Sequence, residues 1–157
     1  VLHQDAATRL ASLCSRHDGA DICRTLAVTR FASPTPATLA DADALIREGD
    51  SIGSTLELAG QHLSREIIAE ARVPCGDAFI ALAGHTVKRG DLLSVRLYRL
   101  DAGPGPEALL PYATIAEAHH PEHVPVTDQA VLITELARGD WTPDAGLALE
   151  ALLTALQ

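Results

Sequence analysis

Ser51, Gly53 and Ser54 stand at the start of a predicted short helix, and Arg65 lies near the start of the strand expected to follow it. Free backbone N–H groups and the helix dipole at such a start favour negative charge. The Arg65 guanidinium can add a bidentate contact to the same group. Arg30, leaving a predicted first hairpin, and Arg96 and Tyr98, on a late strand, are further candidate contacts. Together these residues make a site for a small anionic metabolite. The plain alternative is that the serines merely cap and the arginines lie on the surface.

A second group is His119, His120 and His123 with Glu117 and Glu122, side chains of the kind that ligate zinc or nickel. They fall on a polar, Pro-containing connector without a cysteine, so a solvated loop is the expectation and no metal or cofactor is assigned. Cys75 follows Pro74 at an expected helix start, which would lower its pKa. No partner His or Asn is identifiable, and a buried structural thiol is the preferred reading. His85 is read as a loop residue after a helix stop, and Trp141 as an anchor for a terminal helix.

The elements that must position these residues come from 157 residues, enough for one domain with a sizeable core. Aromatic residues make up 3% and Met is absent, so Leu, Val, Ile and Ala must fill that core. The formal charge of −9 argues against direct nucleic-acid binding, which needs a basic face. Three widely spaced cysteines without a CxxC suit reduced thiols and a cytoplasmic setting. No apolar run approaches a transmembrane helix in length and nothing resembles a signal peptide. The chain begins at Val1 rather than Met, which leaves room for an upstream segment.

Two apolar runs flank His17-Asp18-Gly19 and predict a β-hairpin. The rival is an amphipathic helix over 5–15, with Ala6, Leu10, Leu13 and Cys14 on one face. Thr35-Pro36 predicts a helix to about Ile46. Ser51 or Ser54 caps a second helix that Gly60 ends, and a strand follows from Leu63 to Ala71. A single helix over 55–72 fits the same apolar spacing. Pro74 is expected to open a compact helix that stops at Gly84. Leu92–Leu100 alternates, Leu93, Val95 and Leu97 against Ser94, Arg96 and Tyr98, and pairs with a strand over Ala108–Ala118. Val131–Leu136 reads as a short strand, and Thr142-Pro143 starts a helix with Leu149, Leu152, Leu153 and Leu156 on one face.

This order resembles the ligand-sensing (UTRA) domain of GntR/HutC-type transcription regulators, which shares its fold with chorismate lyase. The resemblance covers roughly residues 8–118. It is carried by the hairpin at Asp18-Gly19, by Asp50-Ser-Ile-Gly-Ser-Thr-Leu56, and by Gly60 with Leu63-Ser64-Arg65. Further on it is carried by Ala78–Gly84 before Gly90-Asp91-Leu92-Leu93, and by Arg96-Leu-Tyr98 ahead of Asp101-Ala-Gly103. It implies an α+β, chorismate lyase-like fold over residues 1–125, an antiparallel sheet with short helices packed on it. Residues 126–157 would be an extension whose helix packs on the same domain. It also implies a homodimer that senses a small anionic metabolite between sheet and helices, with the DNA-binding part elsewhere.

The alternative is a cofactor-free lyase releasing pyruvate from chorismate. That chemistry needs arginines gripping two carboxylates and a carboxylate on the late strand, where this register holds Arg96. A second register gives the lyase roles to Arg65-Glu66-Ile67, Ala83-Gly84-His85-Thr86 and Thr134-Glu135-Leu136. A third reading, an interaction domain, would be favoured by a pocket filled with Leu and Phe79.

Overall fold

Asp18 and Gly19 both have positive φ, 47° and 81°. Two consecutive positive φ values make a type I′ turn, whose twist suits a two-residue hairpin. The turn joins β2 (Thr8–His17) to β3 (Ala20–Phe31), so residues 8–15 are strand and the rival helix does not form. The computed structural model describes residues 1–127, 131–136 and 139–157. A short β1 (His3–Gln4) pairs with β2 at the sheet edge.

After Phe31 a 3-10 turn (Ala37–Leu39) leads into α1 (Ala40–Glu48), which runs slightly past the expected end at Ile46. Thr35 does not cap it; the turn follows Pro36 with no side-chain cap. The second helix, α2, spans Ile52–Leu58. Gly60 N–H donates to Glu57 O (2.9 Å) and Gln61 N–H to Leu56 O (3.0 Å), the Schellman pair that closes a helix. That closure, with Gly60 at φ 75°, frees the chain to become β4 (His62–Pro74). A continuous helix over 55–72 is thereby excluded. Pro74 ends this strand instead of opening a helix, and α3 (Asp77–Leu82) starts three residues later.

β5 (Leu92–Gly103) and β6 (Leu110–His119) complete an α+β fold built on six antiparallel strands. The order is β1-β2-β3-β6-β5-β4, extended by a two-residue β7 (Val131–Leu132) parallel to β4. The expected strand over Val131–Leu136 is thus only two residues long. Its remainder is α4 (Ile133–Leu136), and the terminal α5 spans Pro143–Leu156. No helix among the described residues is long and apolar enough to cross a membrane.

The sheet carries a core on each face. On one face, Leu93, Val95 and Leu97 of β5 and Leu26 and Val28 of β3 pack with Phe79 of α3 and Leu149, Leu152 and Leu156 of α5. Leu153, expected on the same stripe, is half-buried. On the other face, Tyr98, Leu100 and Ile115 pack with Leu39, Ile46 and Leu56. The face of β5 expected to be polar is therefore not a solvent face: Tyr98 is 7% exposed. Trp141 half-buries against the first core and donates from Nε1 to Leu136 O at 2.6 Å, anchoring the approach to α5.

The end of α5 is seated on Gly76. A Cβ there would lie 2.2 Å from Leu156 O and 2.9 Å from Gln157 Cα. Ala78 N–H also donates to Gln157 O at 3.2 Å. Gly76→Ala is expected to cost about 1–3 kcal/mol by forcing this contact apart. Urea denaturation reads the change, and a loss below about 0.5 kcal/mol, the range of a neutral surface change, would mean the helix end is not held here.

Candidate functional site

The second face of the sheet is only partly covered. Between its bare part and the start of α2 lies a cavity of about 310 Å³, at the small end of ligand-sized cavities. Strand alternation decides which side chains enter it. Arg9 comes from β2, Thr29 from β3, Glu117 from β6, Tyr98 from β5 and Arg65 from β4, with Ala27, Leu100 and Ile115 as an apolar floor. Ser51, Gly53 and Ser54 form the wall on the α2 side. Phe79 is part of the opposite core and does not fill this cavity.

Five of the predicted contacts are thus brought together: Ser51, Gly53, Ser54, Arg65 and Tyr98. Ser51 does not cap α2 through its side chain; its hydroxyl donates to Ser54 Oγ at 3.4 Å. Arg65 reaches the helix start, where a Cβ on Gly53 would lie in van der Waals contact with its Nη2 at 3.4 Å. The first intrahelical bond of α2 is Thr55 N–H to Ser51 O, 3.0 Å, so the N–H groups of residues 52–54 precede the ladder.

Arg30 and Arg96 are not brought to the cavity. Arg30 follows the cavity-facing Thr29 on β3, so the two-residue period turns it to the α5 face. There it donates to Thr8 Oγ1 (2.5 Å) and lies 3.6 Å from Asp144. Arg96 shares the face of Tyr98 but lies two residues before it on β5, half exposed, and pairs with Glu70 at 3.2 Å. The helix start expected at Cys75 is also corrected, while the preferred reading of a buried thiol holds. Cys75 precedes α3 rather than starting it, is 3% exposed, and burial, with Asp91 and Asp77 adding, pushes its thiol up to about 11. It is a structural thiol. His85, with φ 60° just after Gly84, is the loop residue expected.

Two cavity residues were not among the predicted ligand contacts: Arg9, which carried no sequence signal, and Glu117, read only as a possible metal ligand. Arg9 is 6% exposed, and its guanidinium donates to Ile46 O (3.1 Å), Asp50 O (2.7 Å) and Gly49 O (3.1 Å). Its Nε–H is buried without a partner. Burial works against the Arg9 charge, with Tyr112 and Asp50 opposing that effect. Glu117 accepts a hydrogen bond from Tyr98 Oη at 2.9 Å. Burial raises the Glu117 pKa; the Tyr98 bond, Arg65 and Arg96 oppose the rise. Burial and the neighbouring Glu117 carboxylate push the Tyr98 phenol well up, so it stays protonated and donates. The cavity therefore offers cationic donors on two sides and a protonatable acid on its floor.

Of the three histidines only His123 lies on a solvated connector, exposed in the turn after β6. His119 closes β6 at 5% exposure, its Nδ1 2.9 Å from Thr25 Oγ1, and His120 is wholly buried. Thr86 Oγ1 donates to Ala83 O (2.6 Å), so His120 Nε2–H donates to Thr86 (2.9 Å), while Nδ1 accepts from Glu122 N–H (3.2 Å). Glu122 is taken by Arg24 at 3.1 Å, and Glu117 by Tyr98. No three potential metal ligands converge among the described residues. Of the second lyase register, Arg65 enters the cavity, Glu135 is exposed on α4, and the side chain of Thr134 lies outside the described residues. No family model, curated protein or solved structure matches this chain.

Burial, then Arg96 and His123, pushes the His119 imidazole down to about 4. An unfolded histidine takes a proton near pH 6.5, the folded one only near 4. Between these values the unfolded chain binds more protons, so stability falls as pH falls. His120, also lowered by burial, acts in the same direction, and Glu117 opposes it. His119→Gln is expected to remove on the order of 2 kcal/mol of the loss between pH 7 and 4. Urea melts at the two pH values measure this, and an unchanged slope would put the titration elsewhere.

Proposed function

We propose that this chain is a small-molecule-binding domain that holds an anionic metabolite in the cavity between α2 and the sheet. One observation carries the reading: two arginines, Arg65 from β4 and the buried Arg9 from β2, line the same cavity. Arg65 supplies the charge, Ser51 and Ser54 supply hydroxyls, and the apolar floor accepts the ligand body. The class of function is effector sensing of the GntR/HutC type, in which ligand binding shifts a dimer between arrangements that space DNA-binding heads differently.

A thermal-shift screen against sugar phosphates, alkylphosphonates, urocanate, chorismate and 4-hydroxybenzoate tests the reading. A ligand at one hundred times its Kd stabilises the fold by about 2.7 kcal/mol. Arg65→Ala is expected to abolish that shift while leaving the fold intact, since Arg65 is a half-exposed edge-strand side chain. A shift that survives Arg65→Ala would remove the anion site from this cavity.

The position of Glu117 favours a second reading, the lyase. It is a buried carboxyl of raised pKa on a late strand, in the same cavity as Arg65. Elimination of pyruvate from chorismate would use such a group, and Arg65 and Arg9 are the two arginines that line the cavity with it. Incubation with chorismate, followed by chromatography for 4-hydroxybenzoate and pyruvate, separates the readings. The lyase gives both products, and Glu117→Gln lowers turnover by at least about 100-fold, the ordinary contribution of a general acid–base group, with binding retained. Binding of chorismate or another anion without turnover leaves the sensor.

A further inference from the structure

We infer that Cys14 and Cys23 form a reversible dithiol–disulfide pair built into the β2–β3 hairpin. The two cysteines are nine residues apart along the turn but are direct register partners across the strands. Opposed residues in an antiparallel pair have Cα atoms about 4.5–5.5 Å apart. That range lies inside the roughly 4.4–6.8 Å window a disulfide spans. The strands meet here at a register shift between Leu13 and Cys14, which opposes Leu13 to Thr25 and Cys14 to Cys23. Both thiols lie on the face that carries α5. Ser12, two residues before Cys14 and so on its side of β2, places its hydroxyl 3.2 Å from Cys14 Sγ. The same hydroxyl acts on the Cys23 thiol, against the burial that raises its pKa.

The division of exposure suits a redox pair. Cys14 is exposed and meets an oxidant from solvent, while Cys23 is wholly buried beside it. With hydrogen peroxide as oxidant, the Cys14 thiolate attacks one peroxide oxygen. The O–O bond breaks, and hydroxide leaves with the Cys14 proton as water, giving a sulfenic acid. The Cys23 sulfur then attacks the Cys14 sulfur. The S–S bond forms, the S–O bond breaks, and the departing hydroxide takes the Cys23 proton as a second water. Two thiols lose two electrons and one peroxide gains them; a small dithiol reverses the change by exchange. Cys75 follows the end of β4, three strands from β3 in the sheet, and takes no part. The link would lie next to Leu13, which lines the cavity, but the inference does not depend on what the cavity binds.

The test uses the whole chain. It is exposed to a small excess of hydrogen peroxide, alkylated, denatured and digested with trypsin without reductant. Cleavage after Arg9, Arg16 and Arg24 puts Cys14 in peptide 10–16 and Cys23 in peptide 17–24. The expected product is these two peptides joined, with the intact chain lighter by two hydrogens, and with dithiothreitol restoring the separate peptides. Cys75→Ser is expected to leave the link unchanged, and Cys23→Ala to replace it with a Cys14 sulfenic acid or its further oxidation products. Separate peptides with Cys14 alone oxidised, or Cys14 joined only to Cys14 of a second chain, would overturn the inference.

Discussion

A single buried cation holds the site in place. The Arg9 guanidinium reaches from the second strand to three carbonyls, those of Ile46, Gly49 and Asp50, where α1 ends and the chain turns toward α2. Carbonyls at a helix C-terminus have no intrahelical partners, and a cation among them satisfies them and complements the dipole. Removing it would leave buried acceptors unpaired, which is costlier than losing an ordinary hydrogen bond. Because the turn is fixed, Ser51 and Gly53 are fixed, and Arg65 meets them from the far edge of the sheet. Gln4 Nε2 donates to Arg47 O (2.6 Å) and Arg47 to Ala6 O (2.5 Å), so the first residues of the chain are tied to the same helix.

Around that point the sheet is packed diagonally. Helices α3 and α5 cover one face, while α1 and α2 cover part of the other, and the rest of that second face is the cavity floor. The polar groups of the floor are supported from within. Tyr98 donates to Glu117, which lies 3.5 Å from His119, and His119 in turn meets Thr25 on the next strand. On the covered part, Tyr112 donates to Asp43 at 2.7 Å, and Arg47 lies 3.7 Å over the Phe31 ring while pairing with Asp43. These contacts dock α1 on the sheet, and α2 follows α1 by a turn of only a few residues. The position of the cavity wall is therefore set by side chains outside the cavity.

Local signals were legible where local physics decides. Asp18-Gly19 predicts a hairpin because a type I′ turn needs positive φ at both residues. Gly60 separates α2 from β4 because a Schellman closure favours glycine. Pro143 at the first helical position and the leucine stripe behind it predict α5. The fold class and the elements carrying Ser51, Gly53, Ser54, Arg65 and Tyr98 follow from such signals. Where two signals competed, as at Pro74, the longer-range partner won: pairing with Leu92 kept Pro74 in the strand and displaced the helix start.

What the sequence by itself determined is the order of the elements and, through the two-residue period, which residues of a given strand share a face. Which face is buried, and how deeply, was decided by tertiary structure. Arg30 and Arg96 look as suitable as Arg65, yet one turns toward α5 and the other pairs with Glu70, because sheet order and helix placement set their neighbours. Arg9 and Glu117 look like ordinary polar residues on alternating strands. Arg9 becomes a buried cation only when the end of α1 meets it, and Glu117 a raised carboxyl only when β5 and β6 are assembled side by side. His119 and His120 read as a solvated run until β6 is placed beside β3 and the loop at Thr86. Burial and electrostatics depend on long-range packing, and no spacing along the chain encodes the distance between strands that are far apart in sequence.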